Sequence, residues 1–532
     1  MKHEQASLAP WSSSYILAVD LGTSGPKVAL FTLEGGIVSA SNREIPLILS
    51  ADGGVEQDPQ AWWRAIGEAM HEVLAPVSLA VKAQIVAIGT TAQWSGTVAL
   101  SSSGTPLMNS IIWMDARGAA AMQRLCGGRL SFEGYGLSKL AQWVYQTGGA
   151  PGLSGKDSLA HILLIRERFP EIYRQTAVFL EPKDYLNFLF TGKIASSLDT
   201  MALHWVTNNR DLTKTPRYAS RLLALVGLER EKLPPLLAST SILGNILPSL
   251  AREFGLSEQL KVVVGSPDIP SAAVGSGAIS DYQAHLCLGT SSWITCHVPF
   301  KKTGIVTKMA TLPSAVPGRY FVANEQESAA YCLQYLRQLL AGEGANAPLL
   351  TFAEMEAEAE LSPPGAKSLL FTPWLNGERT PVDDHALRGG FHHLRLEHRR
   401  SELVRAVYEG VAFNSRWLKQ AVEAFIGRPI RSLHLIGGGA QSRLWCQILA
   451  DVLGCEIKQI AAPRHANARG AAWLAAAGLG LLSFDEMEEK TAVAEVFTPH
   501  AQHRGLYDRL FGEFLALHRA TKQIHQRLHR HY

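Results

Sequence analysis

Tyr15-Ile16-Leu17-Ala18-Val19-Asp20-Leu21-Gly22-Thr23-Ser24-Gly25-Pro26-Lys27 opens the patterned part of this 532-residue chain. Five residues from Tyr15 form an apolar run that ends on Asp20, the pattern of a buried strand. The residues Leu21 to Pro26 read as a turn. Lys27 to Leu33 predicts a second strand, Glu34-Gly35-Gly36 a hairpin turn, and Ile37 to Ser41 a third strand. The turn has a chemistry of its own. Gly22 and its neighbours let backbone N–H groups approach an anion, Thr23 and Ser24 add hydroxyls, and Lys27 adds a charge. Asp20, at a strand end, could hold a metal ion's water shell. The same residues would also suit an ordinary hairpin turn.

Downstream, Asp58-Pro59 opens a helix through Trp62, Ile66 and Met70, because Asp before a Pro at the first helical position is a start signal. Val81 to Gly89 and Ile111 to Trp113 read as strands. Residues 120–260 read as mostly helical, with Ser158 to Tyr173 and Leu180 to Phe190 as examples. Lys261 to Val264 returns to strand, and a new series starts at His285 to Leu288. Ser401 to Lys419 and Ser442 to Leu453 are amphipathic helices around the strand Ser432 to Ile436. Strands alternating with helices twice over predict an α/β chain with two sheet-centred domains. Leu21-Gly22-Thr23-Ser24 recurs as Leu288-Gly289-Thr290-Ser291, each copy between two strands, as two related halves facing one cleft would give.

Composition narrows the function classes. Lys plus Arg number 50 against 47 Asp plus Glu, a balance of +3 that gives no sequence-wide pull toward nucleic acid or membrane. No run of 18 apolar residues occurs, and Gly470 to Leu482 suits a buried helix better than a span. The N-terminal segment lacks the apolar core of a signal peptide. The 6 cysteines form no C-x-x-C pair, which reads as reduced, cytoplasmic usage. Walker, dinucleotide-fingerprint, H-E-x-x-H and G-x-S-x-G motifs are absent. His392, His393, His518, His525, His529 and His531 read as surface residues.

Several stretches could carry chemistry. The two Gly-Thr-Ser turns could clamp a polyphosphate from both sides, suiting phosphoryl transfer, which is mostly positioning and electrostatics. Asp268 is the lone charge from Val262 to Ile279. It could cap the helix opened by Pro270, or act as a general base. Gly437-Gly438-Gly439 between a strand and a helix lets a flat ring or phosphate lie close to the helix start. Gln93-Trp94-Ser95-Gly96 and Trp113-Met114-Asp115-Ala116-Arg117 follow strands, where small ligands bind in α/β sheets. Gln93, Asp115 and Arg117 could bond hydroxyls and Trp94 could stack on a sugar; an Asp115–Arg117 ion pair with a packed Trp is the alternative.

Taken in order, Asp20–Ser24, Glu56–Pro59 with Trp62-Trp63, Pro182–Leu186, Leu288–Ser291, Gly377–Pro381, Gly437–Ala440 and Ala468–Ala472 resemble the FGGY carbohydrate kinases, and among them the xylulose kinases. The resemblance spans about residues 15–490. It implies two ribonuclease H-like domains of the actin/hexokinase ATPase type around a central cleft. Residues 15–276 would form the sugar side, 277–490 the nucleotide side and 491–532 a helical tail. By position, Asp268 would be the catalytic base and Asp20 the acid near Mg2+. Gly22, Thr23, Ser24, Lys27, Gly289, Thr290, Ser291, Gly437, Gly438 and Gly439 would bind ATP. Gln93, Trp94, Ser95, Asp115, Arg117 and Asp268 would face the sugar. The family is often dimeric, which makes a homodimer one option, and the sequence does not fix the oligomeric state.

The chain also departs from the pattern. Xylulose kinases usually carry Gln-Met-His-Gly where Gln93-Trp94-Ser95-Gly96 stands, and Asp-Asn where Asp268-Ile269 stands. His161 and Leu164 replace the usual Lys and Trp of the first signature, His393 a usual Gly of the second, and Pro26 lies within the first phosphate loop. The phosphate machinery reads as kept and the sugar pocket as rewritten. The expectation is a kinase for a sugar or polyol other than, or besides, D-xylulose. The alternative is a non-catalytic sugar or nucleotide sensor of kinase descent.

Overall fold

The computed structural model describes residues 14–341 and 349–529. Each half is built on one mixed sheet. In the first, the apolar runs become β1 (Tyr15–Gly22), β2 (Gly25–Thr32) and β3 (Ile37–Asn42). They are joined by β4 (Ile85–Ala92), β5 (Ile242–Asn245) and β6 (Lys261–Val263), in the order β5-β6-β4-β1-β2-β3. The second sheet holds β7 (Ala284–Leu288), β8 (Ser292–Val298), β9 (Thr303–Gly304), β10 (Met309–Pro313) and β11 (Tyr320–Ala323). It ends with β12 (Ser432–Ile436), β13 (Glu456–Ile460) and β14 (Val493–Phe497), in the order β9-β10-β11-β8-β7-β12-β13-β14.

The two sheets repeat one pairing scheme. β1 runs antiparallel to β2 and parallel to β4, and β7 runs antiparallel to β8 and parallel to β12. Each sheet then adds one parallel strand, β6 or β13, and one antiparallel edge, β5 or β14. The repeated Leu-Gly-Thr-Ser thus falls at the same place in both halves, the turn after the central strand.

Helices cover both sheets. α1 (Pro59–Leu74) starts where Asp58 accepts from the Gln60 N–H at 2.8 Å, and it buries Trp62, Ile66 and Met70 on the first sheet. α2 (Pro182–Thr191) packs on the same face. α3 (Asp268–Gly275) leads from the first sheet toward the second. α4 (Arg400–Ile426), α5 (Arg443–Leu453) and α7 (Arg504–His529) share the core of the second sheet. α6 (Ala466–Gly478), although it lies between β13 and β14 in the chain, packs on the back of the first sheet. It meets α3 at glycines: a Cβ on Gly470 would sit 1.8 Å from the Ser271 carbonyl, and one on Gly275 1.9 Å from the Ala466 carbonyl. The run Gly470 to Leu482 is therefore mostly buried helix. Among the described residues no helix is long and apolar enough to cross a membrane.

Several expectations need correction. The Val81 to Gly89 strand starts only at Ile85, because Ser78 caps a short helix, Leu79–Lys82. Trp113 lies beyond a two-residue strand, Ser110–Ile111. Ser158 to Tyr173 is two helices broken at Phe169, since Pro170 opens the second. Leu180 ends a strand, Val178–Leu180, and the helix begins at Pro182. The segment after residue 490 is not a helical tail alone. It supplies the edge strand β14, and its helix buries Tyr507, Leu510, Phe511, Phe514 and His518. His518 is a core residue, its ring 5.5 Å from Trp374 and 4.9 Å from Trp417. His531 lies outside the described residues. All six cysteines are buried and free.

Candidate active site

A cavity of about 450 Å³ lies between the two halves, lined by both Gly-Thr-Ser turns, Lys27, Trp94, Ser95, Asp268, Gly437 and Gly438. The first turn is held from behind. The Gln57 amide donates to the Thr23 carbonyl at 2.8 Å and the Trp113 indole to the Thr23 hydroxyl at 2.8 Å. That hydroxyl donates to Gln93, and Gln93 donates to Gln57. The paired glutamines therefore spend themselves on the turn. Ser24 is left exposed at its tip.

Asp20 lies beneath this turn. One carboxylate oxygen accepts from Lys27 Nζ at 3.2 Å, and the other is buried with no hydrogen-bond partner. An orphaned buried carboxylate oxygen costs free energy unless something else satisfies it. Asp268, in the first turn of α3, faces the cavity. Its carboxyl accepts from the Ile269 N–H at 2.9 Å and from the Trp94 backbone. Burial, with the charge of Asp20 second, pushes it up to about 7. Lys27, Asp20 and Asp268 all act on the buried Cys287 thiol, so the four groups form one electrostatic cluster.

The second turn mirrors the first. The Ala329 N–H donates to the Thr290 carbonyl and the Ala330 N–H to the Gly289 carbonyl, both at 2.9 Å. Across from it, Gly437 has φ +94, and a Cβ there would sit 2.6 Å from the Leu288 carbonyl. Gly438 opens into free space, whereas Gly439 is buried against the Leu288 side chain. Gly439 therefore serves packing, and only Gly437 and Gly438 line the cavity.

Three expected sugar contacts point elsewhere. Asp115, fully buried, pairs with Arg117 at 2.7 Å and accepts from the Val55 N–H at 3.0 Å. Arg117 also pairs with Glu56 at 2.6 Å. Asp115 and Arg117 thus tie the loop to the strand at Val55–Gln57 instead of reaching the cavity, and Gln93 is committed as above. Trp94 and Ser95 do line it, but their donors are spent, the indole on the Thr200 carbonyl and the hydroxyl on the Lys156 carbonyl. Their loop is anchored by buried Glu181, which accepts from the Gly96 N–H at 3.1 Å and from the Ser158 hydroxyl. Burial raises the Glu181 carboxyl well above its ordinary value.

Sequence reasoning missed the charged wall of the cavity. Lys156 of the first half pairs with Glu327 of the second at 3.1 Å, and Arg379 binds both Glu325 and Glu327. The Arg379 guanidinium lies 5.7 Å from the centre of the Trp113 ring, again across the cleft. Asp157 is the acid of the Ser154–Asp157 lining; it accepts from the Gly152 N–H and the Trp205 indole. Gly377–Pro381 gave a signal for Arg379 as a motif. Nothing local marked Lys156, Glu325 or Glu327, because their partners are distant in the chain.

This site can hold an extended anion between two backbone turns, with an acid of near-neutral pKa beside it. Comparison with known proteins agrees. Residues 15–275 match the N-terminal domain, and residues 284–479 the C-terminal domain, of the FGGY family of carbohydrate kinases. The chain is 30% identical over 523 residues to the xylulose kinase of Staphylococcus epidermidis, covering 96% of this chain and 97% of that one. It is 31% identical over 474 residues to the xylulose kinase of Escherichia coli, covering 86% and 89%. A crystal structure of a xylulose kinase from Brucella ovis superposes with TM-score 0.82 at 27% identity, over 96% of this chain and 100% of that one. The paired sheets and the cleft between them are those of the actin/hexokinase ATPase fold, and this chain is a sugar kinase that belongs to the FGGY family of carbohydrate kinases.

Proposed function

We propose that this kinase transfers the γ-phosphoryl group of ATP to a hydroxyl of a ketose or related polyol, with Asp268 as general base. The observation that carries the reading is the Asp268 carboxyl, facing the cavity beside both Gly-Thr-Ser turns and pushed up to about 7. A base poised there is half ionised near neutral pH and holds a proton well in the transition state. Asp268 accepts the substrate hydroxyl proton as the sugar oxygen bonds to the γ-phosphorus; the bond from that phosphorus to the bridging oxygen breaks and ADP leaves. The backbone of Gly22–Ser24 and Gly289–Ser291, with Lys27, would steady the phosphate oxygens, and Gly437 and Gly438 would let the nucleotide lie against bare backbone. On this reading the first half is the sugar side and the second the nucleotide side.

The unpartnered oxygen of Asp20 fits a role in holding Mg2+ or its water shell. Bound there, the ion would neutralise charge on the phosphates. The sugar pocket supports a changed specificity. Trp94 and Ile269 put apolar surface into the cavity, and the charged groups on that side of the lining include Asp268, Lys156, Asp157, Glu325 and Arg379. The reading is tested by an ADP-release assay with Mg-ATP over a panel of ketoses, aldoses and polyols that includes D-xylulose. Turnover on one compound, lost in Asp268→Asn, is expected. Turnover on none of the ketoses and polyols would refute the substrate class, and turnover kept in Asp268→Asn would refute the base.

A further inference from the structure

Asp451, His500 and His503 lie together outside the cleft, where α5 ends and the chain passes from β14 to α7. Asp451 is in the last turn of α5, and His503 closes a single helical turn, Ala501–His503, just before α7. One ligand-type atom from each lies within 4.8 Å of the other two. We propose that these three side chains form a site for a zinc-class divalent ion that fastens the start of α7 to the end of α5.

Three observations carry the proposal. First, both histidines turn the same nitrogen, Nδ1, toward one carboxylate: His503 at 2.7 Å from Oδ2, and His500 at 3.2 Å from both oxygens. A tetrahedral ion with bonds near 2.0–2.1 Å sets its ligand atoms about 3.3 Å apart. The two known separations, 2.7 and 3.2 Å, need to open by about 0.6 and 0.1 Å to meet it. Second, the carboxylate and His500 are already held toward each other: Asp451 Oδ1 accepts from the His500 backbone N–H at 2.8 Å and from the Gln447 amide at 2.8 Å, the kind of surrounding bonds that orient metal ligands. Third, side-chain exposure grades from 4% at Asp451 through 23% at His503 to 48% at His500, leaving one side open to water for entry and a fourth ligand.

Two imidazole nitrogens and one carboxylate oxygen suit zinc, and equally cobalt or nickel, over magnesium, which prefers oxygen ligands. The site is therefore distinct in chemistry from any Mg2+ position near Asp20.

Cobalt absorption tests this on the full-length protein after EDTA treatment. One equivalent of Co2+ should give the intense visible band of a tetrahedral site, displaced by Zn2+ and untouched by millimolar Mg2+. His503→Gln and His500→Gln should each weaken Co2+ binding at least tenfold, while His71→Gln, at a surface histidine elsewhere, leaves it unchanged. Zn2+ should raise the melting temperature of the wild type and of His71→Gln but not of His503→Gln. No band in the wild type, or an equal band in both site variants, overturns the proposal. His500 is half exposed, so His500→Gln keeps the test valid if substitution at His503 impairs folding, which circular dichroism would reveal.

Discussion

Replacing Asp268 by Asn should make the protein at once inactive and more stable above neutral pH. The carboxyl is pushed up to about 7 from an ordinary 3.8, first by burial and then by the charge of Asp20. The folded chain therefore keeps this proton to a higher pH than the unfolded chain does. Between about pH 4 and 7 the folded state binds more protons, so wild-type stability falls as pH rises through that window and levels off above it. The gap of about three units corresponds to roughly 4 kcal/mol at pH 8, a ceiling because the carboxyl faces the cleft. In a chain of this length that is about 4 °C in melting temperature. Asn keeps an oxygen for the Ile269 and Trp94 N–H groups and removes the charge. The variant should melt up to about 4 °C higher than wild type at pH 8, with the difference gone by about pH 4. Turnover should fall by about 10²–10⁴-fold, the usual worth of a general base. Melting curves at both pH values and an ADP-release assay read the two effects separately. An Asn variant that turns over within tenfold of wild type refutes the base. One that melts no higher at pH 8 refutes the electrostatic reasoning.

In the wild type, kcat/KM should decline toward tenfold per pH unit below about 7, a limb visible in a pH–rate profile. Gly437→Ala places a Cβ 2.6 Å from the Leu288 carbonyl at φ +94. It should raise KM for ATP at least tenfold in initial-rate kinetics while KM for the sugar stays within twofold. Ile269→Asn returns a polar group to the pocket wall and should raise kcat/KM for D-xylulose relative to the best substrate by about tenfold, the worth of one hydrogen bond. Phe514→Ala opens a cavity between Trp374, at 5.2 Å, and Phe413, at 5.8 Å. It should cost about 3–5 kcal/mol, read by chemical denaturation.

The parts of this architecture that are local in the chain were legible. The β1–β2 hairpin, the Asp58 cap, the repeated Gly-Thr-Ser turn and the lone charge at Asp268 each follow from a few neighbouring residues. What escaped was set by distance. Asp115 and Arg117 look like ligands because both are polar and lie past a strand; only the fold shows Glu56 and the Val55 N–H waiting for them. Lys156 gains its meaning from Glu327, 171 residues away. The C-terminal helix looked solvated because Arg and His crowd it, yet its aromatic stripe meets Trp374 and Trp417, which no window around residue 514 contains. Gly439 shares a motif with two cavity glycines and differs from them in packing against the side chains of Leu288 and Trp445.

The return of α6 to the first sheet bears on how the chain is made. Its alanine-rich face and Trp473, whose indole donates to the Leu33 carbonyl, complete a core that Ile16, Ala18, Phe31 and Ala87 began. On a ribosome adding about 5–20 residues per second, roughly 20–90 s passes between Leu33 and Trp473. For that time the back of the first sheet is covered only in part, by side chains such as Val274 and Ile279. The first half cannot mature alone ahead of the second, and a nascent chain stalled before residue 466 would display a sticky apolar face of the kind chaperones bind. Cutting the gene at residue 276 should give two insoluble fragments, soluble only when made together.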